Sequence, residues 1–124
     1  MSTRCNIGFY ETKPTTSQIK KNGVHIYRHS DGYPEGVLPD LTPFARRFDH
    51  ERGLDDTQYA IARCIQALTN QHDAGYDNTT GYGVMTQIAG DGEFYYAVYP
   101  GGIDVYENSG WDNINLNKIE EVKL

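Results

Sequence analysis

The chain has 124 residues, a hydrophobic fraction of 38% and a formal net charge of −6. That length suits one domain, which buries roughly two-thirds of its unfolded surface and needs no disulfide or metal staple. The negative charge argues against generic binding to a nucleic-acid backbone or an anionic membrane, because both require basic surface. No apolar run approaches the roughly 20 residues of a membrane span. The N-terminal residues lack the continuous apolar stretch of a signal peptide, so a cytoplasmic location is expected. In a reducing compartment Cys5 and Cys64 are expected as separate buried thiols. The Asn78-Thr79-Thr80 glycosylation match is then incidental.

Arg4 to Glu11 alternates as a strand, with Cys5, Ile7 and Phe9 on one face and Asn6, Gly8 and Tyr10 on the other. Thr12 to Asn22 holds Pro14, Thr/Ser residues and three lysines, and reads as a loop or long hairpin connection. Gly23 to His29 is a second strand, with Val24 and Ile26 facing one way and His25, Tyr27 and His29 the other. Val37, Leu41, Phe44, Ala45 and Phe48 form one helical stripe. Pro39 and Pro43 move the expected start of this helix to Asp40 or Thr42, and Gly53 ends it. Asp55-Asp56 caps a second helix with Ile61, Cys64, Ile65 and Leu68 on its buried stripe. A long polar loop over 73–83 follows. Three strands come next, 83–89, 93–99 and 102–107, with Gly90-Asp91-Gly92 and Pro100-Gly101-Gly102 as hairpin turns. Lys118 to Leu124 is either a short helix or an added strand. The expected fold is α+β: an antiparallel sheet of about five strands, order ββααβββ, with two helices on one face.

Cys5, Ile7, Phe9, Val24, Ile26, Val84, Ile103 and Val105 are then expected beneath the helices. Tyr10, Tyr27, Tyr95, Tyr99 and Tyr106 share the opposite face with His25 and His29. The chain has ten tyrosines, and a solvated sheet face is normally built of Thr, Lys and Glu. A tyrosine-rich face therefore suggests a covered surface, either a homo-oligomer interface or a face that packs on the chain's own long loops.

The densest set of functional side chains is Arg28-His29-Ser30-Asp31-Gly32-Tyr33-Pro34-Glu35-Gly36. At a strand end entering a helix, backbone N–H groups and Arg28 can face one anion. His29 with Asp31 can form an oriented imidazole, and Tyr33 can stack on a base or sugar. Arg28, His29, Asp31, Tyr33 and Glu35 are the candidate ligand-binding residues. The same residues also read as turn chemistry, with Glu35 in a helix first turn and Arg28 paired to Asp31. Arg46, Arg47 and Arg52 read as the solvated face of the first long helix. Asp73, Asp77 and Asp91 do not have calcium-loop spacing, and no His pair or Cys cluster suggests a transition metal. No phosphate loop, dinucleotide-binding glycine pattern or nucleophile motif is present. No cofactor, metal or catalytic residue is assigned.

The segments Met1-Ser2-Thr3-Arg4-Cys5-Asn6-Ile7 and Tyr27 to Val37 resemble a loose group of short phage and prophage proteins. Those begin with a Thr-Arg strand and carry a His-x-Asp-Gly-Tyr-Pro-x-Gly segment. The resemblance covers about the first third of the chain and implies a viral accessory protein in a bacterial host cytoplasm; it implies no activity. In that context three functions compete. The first is sequestration of a small anionic, nucleotide-like ligand of host defence signalling by a homo-oligomer. The second is protein-binding inhibition of a host defence nuclease or effector, in the manner of an anti-CRISPR protein. The third is a small hydrolase using His29 and Asp31. No nucleic-acid or membrane partner is expected.

Overall fold

The first strand must satisfy two faces at once, because its apolar positions alternate with Asn6 and Gly8, the two smallest demands a polar face can make. The computed structural model, which describes residues 3–21, 23–69, 81–88, 91–110 and 113–124, puts it at the centre of the sheet. In chain order the elements are β1 (Cys5–Phe9), α1 (Thr16–Lys20), β2 (His25–Arg28), α2 (Pro34–Glu51), α3 (Thr57–Thr69), β3 (Tyr82–Met85), β4 (Phe94–Tyr99), β5 (Gly102–Asn108) and β6 (Leu116–Lys123). The α+β class holds, with six strands among the described residues where about five were expected and three helices where two were expected.

The strands run in the order β3-β2-β1-β4-β5-β6. Pairing is antiparallel except at the centre, where β1 and β4 run parallel with Cys5 opposite Phe94 and Ile7 opposite Tyr96. The sheet is thus two antiparallel halves joined along one parallel seam. This corrects the all-antiparallel expectation, and with it the hairpin at Gly90-Asp91-Gly92, since β3 pairs with β2 and not with β4. The turn at Pro100-Gly101-Gly102 does join β4 to β5, with Gly101 at φ 89°. The C-terminal segment is the added strand, β6, bulged opposite Val105 and Tyr106.

The two long helices cover one face. Val37, Leu41 and Ala45 of α2 and Ala60, Cys64 and Leu68 of α3 pack with Cys5, Ile7, Ile26, Tyr96, Val98, Ile103 and Val105. Each aliphatic side chain fully buried there contributes about 1.5–3 kcal/mol. Helix α2 begins at Pro34, well before the expected start, and contains both Pro39 and Pro43. Both prolines are exposed and lie four residues apart, as does exposed Glu35. The carbonyls they leave without an N–H partner therefore face water, which removes much of the usual cost of an interior proline. Val24 and Val84, expected under the helices, are 48% and 59% exposed. They share the helix side of the sheet but lie toward the β3 edge, outside the area the helices cover.

The opposite face has its own cover. The segment read as loop contains α1, whose N-cap Thr15 and Gln18 form a capping box. Its single apolar residue, Ile19, is fully buried with Tyr95, Ala97, Tyr106 and Leu116. Lys13 helps to fasten this strap, bonding Glu121 on β6 and lying 3.9 Å from the buried Asp104 carboxylate. Among the described residues no helix is long and apolar enough to cross a membrane. Cys5 and Cys64 are buried free thiols, and burial raises both thiol pKa values, that of Cys5 to about 12.

Ile19→Ala is expected to lower unfolding free energy by about 2–4 kcal/mol, as a buried large-to-small change with little room to collapse. Urea denaturation checks it. A loss below about 1 kcal/mol would mean that α1 is an ornament and not the cover of a second core.

Candidate functional site

Between β2 and α2 the chain must reverse and start a helix within a few residues. Asp31 takes the left-handed conformation at φ 55°, which Asp tolerates better than most residues. Gly32 then lies against β1, where an added Cβ would come within 2.8 Å of the Arg4 carbonyl carbon. Its N–H donates to the Thr3 carbonyl at 2.9 Å, and its carbonyl accepts from the Tyr96 hydroxyl at 2.7 Å. Gly36 is equally confined, since a Cβ there would meet the Asp31 carbonyl oxygen at 2.4 Å. Pro34 opens α2 at a position where its missing N–H costs nothing.

Arg28 is the tie within this turn. It is 7% exposed and on the helix side of the sheet. Its Nε donates to the Ser30 carbonyl at 2.8 Å, Nη1 to Asp40 Oδ2 at 3.4 Å and Nη2 to the Gly36 carbonyl at 3.5 Å, above the Tyr82 ring. Its carboxylate partner is Asp40, not Asp31. His29 projects from the other face of the sheet, as strand alternation requires. There Tyr27 and Arg4 both donate to His29 Nδ1, at 2.7 and 3.3 Å. An arginine Nε can only donate, so Nδ1 is the acceptor and the ring proton sits on Nε2. The atom that a carboxylate would orient in a catalytic pair is therefore already engaged.

The structure thus separates the five candidate residues. Arg28 is inside, His29 is behind the sheet, and Asp31, Tyr33 and Glu35 are exposed. The Tyr33 hydroxyl donates to Asp31 Oδ1 at 3.2 Å, and that carboxylate raises the phenol pKa. With the guanidinium paired internally, the outer surface of the segment is acidic. Beside it an open groove of about 430 Å³ is lined by Pro34, Glu35, Leu38, Pro39 and Glu120. Glu120, from β6, was not singled out by its sequence position; only strand pairing across the sheet brings it to the start of α2.

The tyrosine face is assembled as alternation predicts, but its cover is intramolecular. Tyr95 and Tyr106 are 1% and 5% exposed beneath α1. Tyr10, Tyr27 and Tyr99 are half-buried. The hydroxyls of Tyr10 and Tyr95 lie 2.5 Å apart, and Tyr95 reaches His25 Nδ1 at 2.9 Å. Tyr99 donates to Asp104 Oδ1 at 2.8 Å. His25 is 3% exposed. Its burial lowers the imidazole pKa below the ordinary 6.5, against a smaller opposing effect of the Lys21 backbone. The loop over 73–83, His72 and the Asn78 acceptor site lie wholly or largely outside the described residues.

Gly32→Ala is expected to cost about 1–3 kcal/mol, because the new methyl runs into the Arg4–Cys5 peptide and the Cys5 Cβ. Tyr33→Phe, which removes one exposed bond, is expected to change stability by less than about 0.5 kcal/mol. Chemical denaturation of the two variants checks the contrast. His25 gives a pH dependence of known sign. Its folded pKa is below 6.5, so the unfolded chain binds more protons in the window between the two values. The contribution is complete above pH 6.5 and is lost as pH falls through that window. Urea midpoints measured from pH 7.5 downward should show this slope, and His25→Gln should flatten it.

No protein-family model, curated protein or solved structure matches the chain.

Proposed function

We propose that the chain is a non-catalytic protein-binding protein whose acidic groove at the start of α2 grips a basic segment of its partner. In the setting implied by the phage-protein resemblance, the partner is a host defence nuclease or effector and the outcome is its inhibition. One observation carries the reading. The groove of Pro34, Glu35, Leu38, Pro39 and Glu120 has apolar walls and two carboxylates, and among the described residues no cation lines it. Exposed Asp31 and Tyr33 continue it along the preceding turn. Apolar contact with an acidic rim suits a Lys- or Arg-bearing surface, and complementary charge of this kind speeds encounter and fixes register.

The test is affinity capture from host cells with the intact chain, followed by the same capture with Glu35→Lys combined with Glu120→Lys. A specific partner should elute at raised salt, and the double reversal should weaken binding at least about tenfold. Retention of the same partner by the reversed variant would sink the proposal.

A second reading rests on a different place. An open cleft of about 550 Å³ lined by Arg46, Asp49, His50 and Leu124 has the volume of a small-molecule site and carries two potential cations. Sequestration of an anionic, nucleotide-like ligand would use this cleft and not Arg28. A homo-oligomer completing it would have Tyr10, Tyr27 and Tyr99, the partly exposed members of the tyrosine face, available for contact. Calorimetry with a panel of cyclic nucleotides separates the readings, since only sequestration predicts heat.

A further inference from the structure

Between α2 and α3 an open groove of about 250 Å³ is lined by Phe44, Arg47, Phe48, Glu51 and Arg63. It is smaller than the roughly 300 Å³ at which small-molecule sites begin, so it suits one large side chain better than a whole ligand. Its apolar part is aromatic. Phe44 and Phe48 are half-buried, with ring centroids 5.7 Å apart, and Phe9 meets Phe44 edge-on.

Its rim carries two guanidinium groups. Arg63 is exposed and has no ion-pair partner among the described residues. Arg47 pairs with Glu51 at 2.9 Å, but the two side chains are 79% and 59% exposed. An ion pair that wet holds its partners weakly, so another carboxylate can replace Glu51 at little cost. The occupant that fits is therefore an aromatic or large aliphatic side chain flanked by carboxylates.

The chain itself carries that combination. Tyr33 is 39% exposed and stands between exposed Asp31 and Glu35. The bond from its hydroxyl to Asp31 keeps the ring and a carboxylate side by side. Tyr33 cannot enter the groove of its own molecule. It caps the N-terminal end of α2, and Phe44 and Phe48 lie roughly 16–22 Å further along the axis at about 1.5 Å per residue.

We infer that the groove receives Tyr33 of a second copy of this chain, with Arg47 and Arg63 meeting the carboxylates of Asp31 and Glu35. The aromatic anchor supplies burial, and the charges fix its orientation. Two different surfaces meet, so the contact closes into a ring, the smallest being a reciprocal pair, or grows as an open chain. It also covers turn residues assigned above to a basic partner, so the two associations compete, but it does not depend on that reading.

The experiment is sedimentation of the purified, intact chain up to millimolar concentration, at low and at raised salt. Reversible self-association is expected, weakened by salt as the charge pairs are screened. Two double variants divide the contact. Tyr33→Ala with Glu35→Gln removes the anchor, and Arg47→Glu with Arg63→Glu reverses the groove. All four side chains are exposed, so both variants should keep the fold, which circular dichroism checks. Each variant alone should associate at least about tenfold more weakly than the parent chain. Their equimolar mixture should recover association and stop at a pair, because one brings an intact groove and the other an intact anchor. A parent chain that stays monomeric overturns the inference. So does a double variant that associates like the parent, or a mixture that associates no better than its components.

Discussion

The parallel pairing of β1 with β4 is the constraint on which the other elements depend. It places a five-residue strand between two antiparallel halves, and every residue of that strand is buried. Cys5, Ile7 and Phe9 serve the larger core under α2 and α3. Asn6 and Gly8 serve the smaller face under α1. Gly8 is required by packing, since a Cβ there would fall within 1.8 Å of the Tyr95 hydroxyl. The same seam brings Tyr96 opposite Ile7, from where its hydroxyl reaches Gly32 and holds the β2–α2 turn against the sheet. The turn that looked most like a site is therefore an anchoring point of the central strand.

Strand faces were legible because a period of two leaves little freedom. Tyr10, Tyr27, Tyr95, Tyr99 and Tyr106 do lie on one side with His25 and His29, and Ile7, Ile26, Ile103 and Val105 on the other. Strand order was less accessible. Local turn chemistry at Gly90-Asp91-Gly92 argued for a hairpin, and nothing local reports that β4 prefers β1. Helix α1 carried a readable signal, Thr15 and Gln18 at capping-box spacing, but Pro14 and the polar run around it argued for a loop. An interior proline is normally expensive, so Pro39 and Pro43 pointed to a later start for α2 than Pro34. Its two prolines sit together on the wet side, off the apolar stripe that already ran from Val37 to Phe48.

The candidate site illustrates a general difficulty with dense polar segments. Arg28, His29, Asp31, Tyr33 and Glu35 are close in sequence, yet neighbours on a strand point to opposite faces. Arg28 satisfies carbonyls and Asp40 within the fold, which turns the segment's outer surface from mixed to acidic. The charge that the segment offers changes with it, from one suited to an anion to one suited to a basic surface. Glu120 was not predictable, because its approach to Glu35 depends on β6 pairing with β5.

The seam also sets an order of events during synthesis. Cys5 cannot meet Phe94 until most of the chain has left the ribosome, so loop-closure entropy must be met before this contact forms. Until then β1 and β2 can pair as a local hairpin, with one apolar face open to α2 and α3 and the edge of β1 unpaired. An unpaired strand edge of this kind is a template for association with other chains. The folding rate should therefore be governed by the arrival of β4, as expected for a topology dominated by distant contacts. Arrest of translation between β3 and β4 would leave a nascent chain with an open central edge, the state most exposed to aggregation or to capture by a chaperone.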